Sequence, residues 1–203
     1  MYLTKTPWWL RALYPSLVWR MPEKEKKIYL SFDDGPHPVA TAFVLDQLAA
    51  YGAKASFFCI GKNVVAEPAI YQRILAEGHS VGNHTYEHLN GWKTADENYI
   101  ADTMHAARYI QSNLFRPPYG RIKRSQIKHL QQKGMRVIMW DVLSADFDTS
   151  LTAQASLSYV LYHTKPGSIV LFHDSEKAWE RMSVALPAVL KHFTSEGYVF
   201  DRL

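Results

Sequence analysis

Lys27-Ile-Tyr-Leu-Ser-Phe-Asp-Asp-Gly-Pro36 is the stretch on which the fold turns. A short run of aliphatic and aromatic residues stops at Asp, Gly and Pro, the residues that close turns, so it reads as a buried strand with two carboxylates at its carboxyl end. The same pattern recurs along the chain. Short apolar runs are predicted as strands at Lys27 to Phe32, Ala55 to Ile60, His79 to Gly82, Leu114 to Phe115, Arg136 to Trp140, Ser168 to Phe172 and Tyr198 to Phe200. Between them, amphipathic stretches predict helices at Val39 to Tyr51, Pro68 to Glu77, Ala95 to Gln111, Lys123 to Lys133, Thr152 to His163 and Trp179 to Ser195. Gly52, Gly78, Gly134 and Gly197 sit where these helices end, and Thr94-Ala-Asp-Glu97 has the spacing of a capping box. Strands alternating with helices specify a parallel sheet with helical crossovers, an α/β architecture.

At 203 residues with 47% hydrophobic and 21% charged content, the chain can build one sizeable core and is too short for two ordinary ones. That composition excludes disorder, and no run reaches the ~18 apolar residues of a membrane span. The net charge is +4 with charges interspersed, not gathered into an arm, so nucleic acid is not the expected partner. The single cysteine, Cys59, excludes an intrachain disulfide and a Cys-based zinc cage. A metal would have to be held by His, Asp or Glu, and there are 9 histidines.

Residues 1–26 read as an N-terminal extension packed on the domain, with 27–203 as the domain itself. Arg11 and Pro15 interrupt the apolar start before a signal-peptide core can form, which by default places the protein in the cytoplasm. Trp8, Trp9, Leu13, Leu17 and Trp19 with Lys5, Arg11 and Arg20 would suit a peripheral membrane contact, but a central proline favours a segment that buries its tryptophans. The run from Glu23 to Lys27 reads as a solvated linker.

On this draft the ionisable residues fall at one end of the strands. Asp33 and Asp34 follow the first, His84 and His88 the third, Arg116 the fourth, Asp146 the fifth and His173 the sixth. In a barrel of parallel strands those ends share a face, so distant residues can converge on one pocket. Each motif alone has a plainer reading. Asp33-Asp34-Gly35-Pro36 serves equally as a turn, and Arg116-Pro-Pro-Tyr-Gly120 as a rigid loop with a surface arginine. His84 and His88 share one side only if the segment is helical or tightly turned, and His173-Asp174 fits an Asp helix cap beside an incidental histidine. Their conjunction at one end of the sheet is what argues for a site.

Taken in order, Ser31-Phe-Asp-Asp-Gly-Pro36, His84-Thr-Tyr-Glu-His88, Arg116-Pro-Pro-Tyr-Gly120, Asp146-Phe147 and Leu171-Phe-His173 resemble the five motifs of the polysaccharide deacetylases, the NodB-homology group of carbohydrate esterases. The resemblance runs from about Lys27 to the C-terminus. It implies a distorted, incomplete (β/α) barrel of about seven parallel strands, smaller than the ~250-residue eightfold barrel. It also implies a metal-dependent hydrolase that removes N-acetyl groups from N-acetylglucosamine units of a chitooligosaccharide or peptidoglycan type of substrate. The alternatives are an O-deacetylase of the acetylxylan-esterase type and a catalytically silent sugar-binding module on the same fold.

By the same resemblance, Asp34, His84 and His88 are the metal ligands, and the ion is zinc, with cobalt or nickel compatible with a His₂Asp set. Asp33 is the general base, held by Arg116; His173 is the general acid, with Asp146 raising its pKa and fixing its tautomer. The backbone N–H of Tyr119 stabilises the oxyanion, and Leu171 lines the acetyl pocket. The family's fourth motif often reads Asp-x-x-Asp-Trp, whereas this chain has Leu143 and Phe147 at its first and last positions, which removes one acid and an indole N–H. Trp92, Tyr119 and Trp179 are candidates for stacking on sugar rings, with Phe147 as an aromatic wall. The expected partner is a carbohydrate, and the expected state is a monomer.

Overall fold

The computed structural model describes residues 2–22 and 24–203; Glu23, the first residue of the expected linker, lies outside the described residues, and Lys24, Glu25 and Lys26 are exposed. The strands are β1 (Lys27–Asp33), β2 (Ala55–Cys59), β3 (Ser80–Asn83), β4 (Leu114–Phe115), β5 (Arg136–Val137), β6 (Val142–Leu143), β7 (Ile169–His173) and β8 (Val199–Phe200). Every pairing between them is parallel, and the order across the sheet is β5-β4-β3-β2-β1-β7-β6, with β8 beside the start of β1. The sheet curls into a distorted, incomplete barrel.

Alternation along β1 sets its two faces. Ile28, Leu30 and Phe32 point outward and join the main core under the helices α2 (Ala40–Ala50), α7 (Ala153–His163) and α8 (Trp179–Ser195). Tyr29, Ser31 and Asp33 take the opposite side, where Tyr29 packs with Phe58, Leu114, Ile138 and Ile169 inside the barrel. The register sets Ser31 beside Leu171 and Asp33 beside His173, so the interior residues of β1 and β7 rise together toward the carboxyl end.

The remaining helices are α1 (Trp8–Leu13), α3 (Gly61–Ala66), α4 (Pro68–Ala76), α5 (Asp96–Ala106) and α6 (Arg124–Gln132). Gly78 and Gly134 end α4 and α6 with φ of 77° and 82°, the left-handed conformation that a glycine adopts without strain. The structure departs from the expected elements in three respects. The helices α1 and α3, six residues each, carry too few turns to show a periodicity in sequence. The capping box at Thr94 does not form: α5 begins after Ala95 with no side-chain cap, while Thr94 Oγ1 donates to the carbonyl of Asn90 at 2.8 Å.

The third departure concerns Arg136 to Trp140. Only Arg136 and Val137 pair with β4; beyond them the backbone turns to the N-terminal segment, where Val18 N–H donates to Val137 O at 2.9 Å and Met139 N–H to Val18 O at 2.7 Å. The chain then pairs with β7 as β6, whose Leu143 N–H also donates to Thr4 O at 2.9 Å. Residues 4–20 thus occupy the gap between the two sheet edges and satisfy backbone groups that an open barrel leaves unpaired. Lys5 Nζ reaches the buried Asp141 carboxylate at 2.7 Å, which pins the segment electrostatically. Burial of the tryptophans holds only for Trp19; Trp8 and Trp9 are 74% and 52% exposed. Among the described residues no helix is long and apolar enough to cross a membrane.

Candidate active site

Asp34, His84 and His88 come together at the carboxyl end of β1 and β3, with one ligand atom from each lying within 4.8 Å of the others. His88 Nε2 is 3.2 Å and His84 Nε2 3.7 Å from Asp34 Oδ1. Donors bound tetrahedrally at about 2.0–2.1 Å stand roughly 3.3 Å apart, so these spacings suit a zinc-sized ion. The segment carrying the histidines is a turned loop, with φ of 62° at Thr85 and 58° at His88. It is held by Asn83 Oδ1, which accepts Thr85 N–H at 2.8 Å, and by Asp102 of α5, which accepts the N–H groups of Tyr86 and Glu87 at 2.8 and 3.2 Å.

Each imidazole turns Nε2 inward because its Nδ1 is engaged behind. His84 Nδ1 lies 2.8 Å from the carbonyl of Arg116, which can only accept, so Nδ1 carries the proton and Nε2 keeps a lone pair. His88 Nδ1 meets Tyr119 Oη at 3.1 Å. Burial is the main reason that the His84 pKa falls to about 4, which keeps the ring neutral. For Asp34, burial works in the opposite sense, but the His88 hydrogen bond and the charges of His173, His84 and His88 outweigh it and hold the carboxyl well below its ordinary range. Two imidazole nitrogens and one carboxylate form the donor set of a divalent ion, which this site could hold.

Asp33 points into the barrel beside it. Its Oδ1 accepts from Arg116 Nη1 at 2.8 Å, while Oδ2 faces His84 Nε2 at 3.8 Å. Arg116 is fully buried, and its remaining bonds run to Ser31 Oγ, Met139 O and Ile138 O, with Phe58 stacked 4.0 Å from the guanidinium carbon. Across the site, His173 Nδ1 lies 2.7 Å from Asp146 Oδ1, leaving Nε2 available. Burial lowers the His173 pKa, but the charge and hydrogen bond of Asp146, aided by Asp34 and Asp33, more than reverse this and raise it to about 9. Asp146 lies beyond β6, since the strand expected before it ends early.

Residues 20–138 match the polysaccharide deacetylase family. The chain belongs to that family. A peptidoglycan-N-acetylglucosamine deacetylase from Bacillus cereus is 34% identical over 190 residues, covering 91% of this chain and 89% of the relative. A chitooligosaccharide deacetylase from Azorhizobium caulinodans is 31% identical over 162 residues, covering 76% of this chain and 77% of that protein. The crystal structure of the Bc1960 peptidoglycan N-acetylglucosamine deacetylase, in complex with 4-naphthalen-1-yl-N-oxidanyl-benzamide, superimposes with a TM-score of 0.86 at 30% identity, covering 98% of this chain and 95% of that one. The protein is a polysaccharide deacetylase.

In this deacetylase, Leu171 is buried with Leu143 and Ala145, and Trp140, Phe147, Leu151 and Tyr159 pack against them. The two departures in the fourth motif therefore stay inside one apolar cluster. Phe147 stands edge-on to His173 with ring centroids 5.2 Å apart. Tyr119 has φ of 60° and is 61% exposed. The other aromatic candidates differ. Trp92 is 61% exposed and is held by Arg121 and Ile122, its Nε1 donating to Ile122 O at 3.2 Å. Trp179 is a packing residue of α8, edge-on to Phe43 at 5.3 Å.

Several residues that hold the deacetylase site carry no sequence signal of their own. Arg181 of α8 donates through Nε to Asp146 O at 2.6 Å, and Tyr2 packs edge-on to Phe147 at 5.3 Å while its hydroxyl donates to Asp148 at 2.5 Å. Asn63 Nδ2 donates to Asp34 O at 2.7 Å. Asp174 is not a helix cap: the short 3-10 turn ahead of α8 begins after Ser175, and the Asp174 carboxyl faces Gly35 and Thr41.

Proposed function

We propose that this deacetylase hydrolyses the N-acetyl group of N-acetylglucosamine units in a chitooligosaccharide or peptidoglycan substrate, with a zinc ion held by Asp34, His84 and His88. The observation that carries the reading is the pairing of that donor set with Asp33–Arg116 on one side and Asp146–His173 on the other. Both kinds of relative act, by their names, on N-acetylglucosamine or chitooligosaccharide, which supports an amide substrate over an ester.

When bound, the ion supplies a Lewis acid that polarises the acyl oxygen and acidifies water. The chain's own groups do the rest. Asp33, with one oxygen anchored by Arg116 and the other facing the site, takes the proton from the attacking water. The Tyr119 backbone N–H donates to the oxygen that gains charge on the acyl carbon. His173 is held protonated by Asp146 and gives its Nε2 proton to the departing amine, without which a C–N bond breaks poorly. Leu171, with Leu143 and Phe147, provides an apolar recess for the acetyl methyl, excluding water from that side.

The test is release of acetate and free amine from N-acetylglucosamine oligomers and from peptidoglycan, set beside acetate release from O-acetylated xylan. Turnover of an amide substrate is expected. Cleavage of the xylan ester alone would establish the O-deacetylase reading, and saturable sugar binding without any release would establish a silent module.

A further inference from the structure

One residue grips the Asp33-Asp34 pair from both flanks. The backbone N–H of Asp174 donates to Asp33 O at 3.1 Å, and Asp174 Oδ1 accepts the N–H of Gly35 at 3.1 Å. Asp34, whose φ is 82°, lies between these two fixed points. A non-glycine residue in that conformation persists only when its surroundings determine it. The second carboxyl oxygen, Oδ2, pairs with Thr41 Oγ1 at 2.5 Å, and Thr41 Oγ1 in turn accepts His37 N–H at 2.7 Å. Asp174 is 1% exposed, so water does not compete for these bonds.

The fit leaves no slack. A Cβ added to Gly35 would stand 2.2 Å from Asp174 Oδ2 and 2.8 Å from Oδ1, so the loop runs directly against the carboxyl. Asp174 also follows His173 in the chain, and His173 shares the register position of Asp33. Its two bonds therefore join the loop of the acid pair to the strand end that carries the histidine.

We propose that Asp174 is a positioning residue: it fixes the direction of the Asp34 carboxylate toward the metal and the spacing between the Asp33-Asp34 pair and His173. The proposal rests on the reading of Asp34 as a metal ligand. Residues that orient a ligand without touching the ion typically contribute 10–100-fold in metal affinity. An asparagine can keep the bond that matters here, since its carbonyl oxygen accepts Gly35 N–H while its amide donates to Thr41 Oγ1. Alanine can do neither.

The experiment is a zinc titration of the metal-free full-length protein against a chromogenic chelator, for the wild type, Asp174→Ala, Asp174→Asn, Thr41→Val and Gly35→Ala, with circular dichroism and melting recorded for each. Zinc affinity is expected to fall by about 10–100-fold in Asp174→Ala and to recover to within a few-fold in Asp174→Asn. Thr41→Val should fall between the two. Gly35→Ala, which keeps the carboxyl but displaces it, should lose at least about tenfold. In the zinc-saturated proteins the same order should appear in kcat, with KM little changed. A folded Asp174→Ala protein that binds zinc like the wild type overturns the proposal. If that variant does not fold, wild-type affinity in both Thr41→Val and Gly35→Ala overturns it instead. A wild type that binds no zinc, or binds it equally well after loss of Asp34 and His88, overturns the metal reading itself, and the two failures are thereby told apart.

Discussion

Asp146 holds His173 twice: Oδ1 lies 2.7 Å from Nδ1 of the ring, and Oδ2 accepts the backbone N–H of the same residue at 2.8 Å. A single carboxylate therefore fixes both the tautomer of the histidine and the strand end that carries it, despite the loss of the acid at Leu143 and of the indole at Phe147. Asparagine offers one acceptor oxygen and an NH2 donor, so it can keep both contacts only by donating to Nδ1, which fixes the opposite tautomer.

The pH dependence follows from that pair. The folded His173 pKa of about 9 lies above its ordinary 6.5, so the stabilisation is fully present below 6.5 and is lost as pH rises through about 9. The alkaline limb of kcat should report the same loss of the acid. Asp146→Asn is expected to move that limb to lower pH, because the charge that favours imidazolium is gone. A bound cation lowers the absolute value but not the sign of the change. A limb that stays in place would detach Asp146 from the acid.

His173→Ala should impair amide substrates far more than activated acetyl esters, whose leaving groups depart without a proton. The ratio of the two activities is the measurement. Misfolding would depress both together, and equal losses in a folded protein would make His173 a structural residue.

Asp33→Asn should bind zinc normally, as judged by elemental analysis, yet lose the chemical step by roughly 100-fold to 10,000-fold. Near-normal acetate release from that variant removes Asp33 from the role of base.

Arg116→Ala should combine a catalytic defect with instability. Its guanidinium is fully buried, and its removal leaves the Asp33 carboxylate inside the barrel without a countercharge. Breaking a buried pair costs about 3–5 kcal/mol, which denaturant unfolding would register directly. Unchanged unfolding would mean that water replaces the side chain.

Metal content should be near one divalent ion per chain, with activity lost to a chelator and restored by zinc. The double variant Asp34→Ala, His88→Ala should retain no stoichiometric metal, since one ligand alone remains. Retained metal would place the ion elsewhere.

The chemistry was legible in the sequence to the extent that it depends on local order. Strand periodicity and turn residues put Asp33, Asp34, His84, Arg116 and His173 at strand ends, and parallel strands bring such ends to one face whatever the loops contain. Where local signals compete, the sequence misleads: Arg136 to Trp140 has the composition of one strand, but its backbone is shared between β4 and the N-terminal segment. Exposed Trp8 and Trp9 and the packed Trp179 carry the same side chain in different surroundings, which residue type cannot distinguish.

By itself, then, the sequence determined the parallel α/β fold and the placing of the ionisable residues at strand ends, because 2-residue and 3.6-residue periods and turn residues are properties of neighbours along the chain. Only the tertiary structure decided which nitrogen of His84 faces inward, which oxygen of Asp33 stays free, and that residues 4–20 fill the gap between the sheet edges. It alone joined Gly35 to Asp174 across 139 positions. Such contacts depend on distances of a few tenths of an ångström between groups remote in sequence, and these are set by the packing of the whole domain and by no local pattern.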